Sequence, residues 1–87
     1  MSTFKAQAIL LISGPGMQSQ LDEVKAKTTI ALKPFALSIR ENQSICLGGR
    51  IIAATLIDCD PAHLSAIEQD LKLALHGSNL DVATELI

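Results

Sequence analysis

The chain has almost no aromatic side chains. Phe4 and Phe35 are all there are, 2% of 87 residues, with no Trp and no Tyr. The stacking platforms on which common single-strand readers lay their bases are therefore missing. An excess of charge is missing too. Seven Lys and Arg stand against nine Asp and Glu, for a formal net charge of −2 and a pI near 5.5. That balance leaves no basic footprint for nucleic acid or an anionic membrane. Cysteine is scarce: Cys46 and Cys59 form no C-x-x-C pair and no disulfide framework, so a reducing cytoplasm is the expected location. The apolar run Ala8-Ile9-Leu10-Leu11-Ile12 is too short for a bilayer span. A secretory leader is not expected either, because the small-residue pattern Ala6-x-Ala8 precedes that run. With no repeat, low-complexity tract or Pro/Gly/Ser-rich linker, residues 1–87 read as one domain.

What the chain does have is apolar side chains, 48% of the total. Phe4 to Ser13 reads as a strand that is apolar on both parities, as a central strand is. Gly14-Pro15-Gly16 follows as a turn. From Gln18 to Leu32, the positions Leu21, Val24, Thr28, Ala31 and Leu32 recur at helical spacing, with Ser19 and Asp22 as a capping signal. Pro34 ends that helix. Phe35 to Leu47 alternates as an edge strand, and Glu41 and Gln43 predict a bulge or twist before Ile45 and Leu47 resume the apolar parity. Gly48-Gly49 predicts a two-residue hairpin turn. Arg50 to Ile57 is a second central strand. Asp60-Pro61 opens a helix whose buried stripe is Leu64, Ile67, Leu71, Ala74 and Leu75, with Gly77 as its left-handed stop. Leu80 to Ile87 alternates as another edge strand.

The order βαββαβ predicts an α+β, ferredoxin-like domain: a four-stranded antiparallel sheet with two helices on one face. That topology places the first and third strands centrally, as their parities independently require. Two helices leave one sheet face bare. That face still carries either Ile9 and Leu11 or Leu10 and Ile12. Apolar burial is worth roughly 25 cal/mol per Å², so wetting such residues sacrifices several kcal/mol. A cover is expected, either a partner subunit or a larger enzyme. The positive mean hydropathy, +0.35, agrees.

Catalytic candidates are few. His63 and His76 fall near opposite ends of the second helix, too far apart for one ligand face. Cys46 is expected to be buried and inert, and Cys59, near a helix N-terminus, to have a modestly lowered pKa. No metal site, cofactor or Asp-x-Asp phosphatase chemistry is expected in these residues. A small ligand has one place to go, the turn Ser13-Gly14-Pro15-Gly16-Met17, where glycines allow close backbone approach and helix amides offer donors. Asn42 and Gln43 are uncharged hydrogen-bonding groups that a neighbouring copy can use. Taken alone, these residues fit an ordinary strand-to-helix turn and a solvated edge better than a ligand site.

The stretches Ile9-Leu10-Leu11-Ile12-Ser13-Gly14-Pro15, Phe35-Ala36-Leu37-Ser38-Ile39, Asn42-Gln43, Gly49-Arg50-Ile51-Ile52 and Asp60-Pro61 resemble those of an ACT domain. In detail they are most similar to the amino-terminal ACT segment of bacterial phosphoserine phosphatases, and next to the glycine-cleavage repressor type. The resemblance implies a non-catalytic regulatory domain that holds a small amino acid, such as serine or glycine, between two copies. Donors would come from Ser13 to Met17 and from Asn42 and Gln43 of the facing strand. Many ligand-binding members carry an acidic or amide residue in the first loop and a glycine three positions later. Aligned on Gly14-Pro15, those positions hold Gly16 and Ser19, so the loop lacks an amino-group partner. The expected partners are a second copy of the chain, a small amino acid, and a catalytic domain in the same parent chain. The alternative is a pure assembly module with no ligand.

Overall fold

The computed structural model describes residues 6–87. Strand β1 (Ala6–Pro15) leads through a single 3-10 turn at Gln18–Gln20 into helix α1 (Leu21–Leu32). Strands β2 (Leu37–Leu47) and β3 (Arg50–Cys59) form a hairpin. A second 3-10 turn, Pro61–His63, opens helix α2 (Leu64–Ala74), and strand β4 (Asp81–Leu86) completes the sheet. The sheet is antiparallel with the order β2-β3-β1-β4. This is the α+β, ferredoxin-like arrangement that the sequence predicts, with β1 and β3 in the centre. Phe4, read as part of the first strand, lies outside the described residues.

The core lies between the sheet and the two helices. Ala8, Leu10 and Ile12 of β1 and Ile51, Ala53 and Ile57 of β3 are buried against Leu21, Val24 and Leu32 of α1 and Ile67 and Leu71 of α2. Both helix stripes are those that the 3.6-residue period marks out. Asp60 caps the 3-10 turn that leads into α2, its Oδ1 accepting from the Ala62 N–H at 2.9 Å. The entry to α1 differs from the Ser19–Asp22 expectation. Gln20 performs the capping, its Oε1 accepting from the Met17 N–H at 2.7 Å. Its longer side chain reaches back across the 3-10 turn. Gly48 and Gly49 take φ of 56° and 76°, the paired left-handed conformation of a two-residue hairpin turn.

Strand β2 begins at Leu37 rather than Phe35, β3 runs on to Cys59, and two further details depart from the sequence reading. First, β1 runs through Gly14 and Pro15, which pair with Ile51 and Arg50, so the turn begins only at Gly16. Pairing with β4 stops at Ser13–Asp81. Beyond that point β1 is itself an edge, where proline is tolerated. Second, the expected bulge falls between Ile39 and Glu41, with Arg40 as the extra residue. One extra residue in a period of two exchanges the faces. Asn42, Ser44 and Cys46 therefore pair with Thr55, Ala53 and Ile51 on the helix side. Ile45 and Leu47 do not resume the parity of Leu37 and Ile39; they turn to the open face.

The open face is consequently more apolar than the sequence indicates. Ile45 and Leu47, 48% and 62% exposed, join Leu11 and Ile52, 39% and 37% exposed, beside the half-buried Ile9 and Leu56. Ile45 stands directly opposite Ile52, and Ile9 opposite Leu56.

Candidate functional site

The turn out of β1 is tied down by its own chain. The Gly16 N–H donates to the Gly49 carbonyl at 2.9 Å, and the Cys46 thiol points at the Gly16 carbonyl at 3.6 Å. A Cβ placed on Gly14 would lie 2.7 Å from the Asn79 carbonyl oxygen, and one on Gly16 would lie 2.3 Å from Ile51 Cδ1. The close approach that these glycines permit is thus used, on the Cβ side, by the α2–β4 turn and by β3. Of the remaining turn residues, Ser13 is half-buried, while Pro15 and Met17 are exposed.

Asn42 and Gln43 are not brought to that turn within one chain. Asn42 pairs with Thr55, four residues along β3 from the Ile51 that faces Gly14, or about 13 Å at the strand rise. Its Oδ1 accepts from the Thr55 hydroxyl at 3.3 Å. Gln43 sits at the opposite parity, on the open face between two shallow depressions of about 190 and 170 Å³. A small ligand does not reach both the turn and the Asn42 of one chain.

Sequence reasoning missed a cleft of about 270 Å³ between α1 and the segment that joins α2 to β4. Gln20, Glu23 and Lys27 form one wall, and His76 and Ser78 the other. Lys27 Nζ is 3.1 Å from Glu23 Oε1, and both side chains are substantially exposed. The i,i+4 spacing of Glu23 and Lys27 is visible in the sequence as a solvent-side pair. Only the fold sets residues 76 to 78 across from it.

The two thiols are not buried as the sequence reading expects. Cys59 is fully buried, and burial, with the Asp60 and Asp58 carboxylates, pushes its pKa up rather than down. Cys46 is the half-buried one. Its position follows from the bulge, which turns it to the rim of the helix side. Asp58-Cys59-Asp60 does carry an Asp-x-Asp spacing, contrary to expectation, yet both carboxylates have structural partners. Asp58 accepts from Gln7 Nε2 at 3.0 Å and pairs with Arg40, while Asp60 caps the 3-10 turn before α2. His63 lies beside the Phe35 ring, with centroids 6.4 Å apart. Among the described residues, no group of three or more His, Cys, Asp or Glu is placed to hold a metal. No described helix is long and apolar enough to cross a membrane.

The architecture has several solved counterparts. An ACT domain protein from Streptococcus pneumoniae superposes with a TM-score of 0.71 at 11% identity, over 93% of this chain and 89% of that one. The fold is of the ferredoxin-like, ACT type. The ACT domain of the GTP pyrophosphokinase of Chlorobium tepidum also matches, with a TM-score of 0.63 and 14% identity over 94% of this chain and 97% of that one. An unknown protein from Galdieria sulphuraria reaches 0.74 at 18% identity, and there the chain spans 94% of itself but only 44% of its counterpart. At such identities the likeness is one of fold alone. No family model matches the chain, and no curated protein matches it in sequence.

Proposed function

We propose that this chain is a non-catalytic regulatory domain of the ACT type, which pairs with a second copy and binds a small amino acid such as serine or glycine at the junction. The observation that carries the reading is the open sheet face. An ACT-type sheet whose uncovered side presents Ile9, Leu11, Ile45, Leu47, Ile52 and Leu56 has more to gain from a partner than from water. Pairing gives regulation a physical basis. A ligand that contacts two copies stabilises whichever arrangement forms its site, and so shifts the balance of states by its differential affinity.

The parent enzyme in this reading is phosphoserine phosphatase, acting in serine biosynthesis in the cytoplasm. Support comes from the resemblance of Ile9 to Pro15, Phe35 to Ile39 and Gly49 to Ile52 to that enzyme's amino-terminal segment. The coding sequence beyond Ile87 tests it directly, since a phosphatase domain must follow. One observation favours the assembly-only alternative: Gly14 and Gly16 spend their Cβ side on Asn79, Leu80 and Ile51. Calorimetric titration with serine, glycine and branched amino acids separates the two. Saturable heat supports a ligand-binding domain, and silence at millimolar ligand leaves assembly as the role.

A further inference from the structure

The cleft beside α1 carries opposite charges on its rim, and more of its surface is polar than apolar. Glu23 and Lys27 stand on its rim one helical turn apart, their charged atoms 3.1 Å from each other. Beneath them lie Val24, Ile51 and Leu75, all buried, with Leu80 half-buried at the side. His76 and Ser78 face the pair from the α2–β4 segment. The turn Ser13 to Met17, by contrast, offers no charged side chain.

We infer that this cleft holds the zwitterionic head of a small free amino acid, with Glu23 taking the ammonium, Lys27 the carboxylate, and the ligand's side chain lying against Leu80. The inference rests on the reading of the domain as an amino-acid binder, but it sets the ligand in a helix-side cleft of one chain rather than at the junction of two copies. Three physical points support it. A solvent-exposed i,i+4 ion pair contributes little to stability, so its members can exchange partners at small cost. Charge-assisted hydrogen bonds to an ammonium and a carboxylate are the stronger kind. A volume of about 270 Å³ lies just under the range of drug-sized pockets, which begin at roughly 300 Å³, and suits a smaller molecule. The adjacent carboxylate disfavours phosphate and other plain anions. A cation alone would leave Lys27 opposed.

Two-dimensional amide NMR on the whole chain tests the inference, using glycine, L-serine and L-valine alongside N-acetylvaline and valinamide. The expected result is movement of the Gln20, Glu23, Lys27, His76, Gly77 and Ser78 amides with the free amino acids. N-acetylvaline and valinamide, each lacking one charge, should leave them in place. Glu23→Gln and Lys27→Met should each weaken binding about tenfold or more, in line with the loss of one charge-assisted contact. Both positions are on the solvent side, and spectral dispersion reports that the variants are folded. Binding that is unchanged in both variants, or equal for the blocked compounds, overturns the cleft assignment but leaves the amino-acid reading standing. If no free amino acid moves any amide, both fall together.

Discussion

Gly16 lies so close to Ile51 that a Cβ on the glycine would come within 2.3 Å of the isoleucine Cδ1. Ile51 is 1% exposed and part of the core, so any shift it makes disturbs its core contacts. Gly16→Ala should therefore destabilise the domain by about 1–3 kcal/mol, the usual cost of overpacking. Urea denaturation measures it. Ile51→Val removes the opposing methyl and should recover part of the loss in a double-mutant cycle. Full additivity of the two substitutions would contradict the contact. The same geometry governs Gly16→Asp, which would set a carboxylate against the core before it met any ligand.

Ile67 is fully buried on α2. Truncation to alanine should cost about 2–5 kcal/mol, as large-to-small core substitutions do. A shift of the denaturation midpoint with an unchanged m-value is the expected signature. Leu73, on the same helix but 73% exposed, should tolerate alanine with little change.

Glu68 links α2 to β4. Its Oε1 accepts from the Thr84 hydroxyl at 2.7 Å, and its Oε2 lies 3.3 Å from Lys72 Nζ. The Thr84 hydrogen bond, then Lys72, hold its pKa below the ordinary carboxylate value. A lowered folded pKa adds stability above the unfolded pKa, about 4.3 for Glu. That stability is lost as pH falls through the lower folded value. Thr84→Val should thus be most destabilising at neutral pH, with the gap from the parent closing in acid. Denaturation at a series of pH values gives the curve, and a gap that widens in acid would contradict the assignment.

The open face yields a prediction about assembly. Leu11 sits at its centre, with Ala54 and Ala83 opposite on the two neighbouring strands. Leu11→Lys should leave the circular dichroism spectrum unchanged, because the side chain is already 39% exposed, and should convert a paired protein to single chains. A folded variant that remains paired would move the interface elsewhere on the molecule.

The order of elements and the choice of central strands were legible because apolar parity and helical period report burial directly. Leu64, Ile67 and Leu71 illustrate this on α2, and Ile51, Ala53 and Ile57 on β3. The position of a bulge is local, but its consequence is not. Glu41 and Gln43 signalled an irregularity, yet nothing in residues 45–47 states which face they take after Arg40 is added. Cys46 and Cys59 were misjudged for related reasons. One depended on the bulge, and the other on β3 extending two residues further, to Cys59, under the helix layer. The turn begins two residues later than Gly14 suggests, and glycines that admit a ligand and glycines that admit Ile51 look alike in a sequence. The Glu23–Lys27 cleft depends on residues 76 to 78, about fifty positions away, and no local pattern joins them.

Sedimentation equilibrium on the wild-type chain, across micromolar to millimolar concentrations, confronts the idea of a face in need of cover most directly. The account predicts a reversible dimer whose association is lost in Leu11→Lys. Monomers throughout that range, from protein with native circular dichroism, would contradict it.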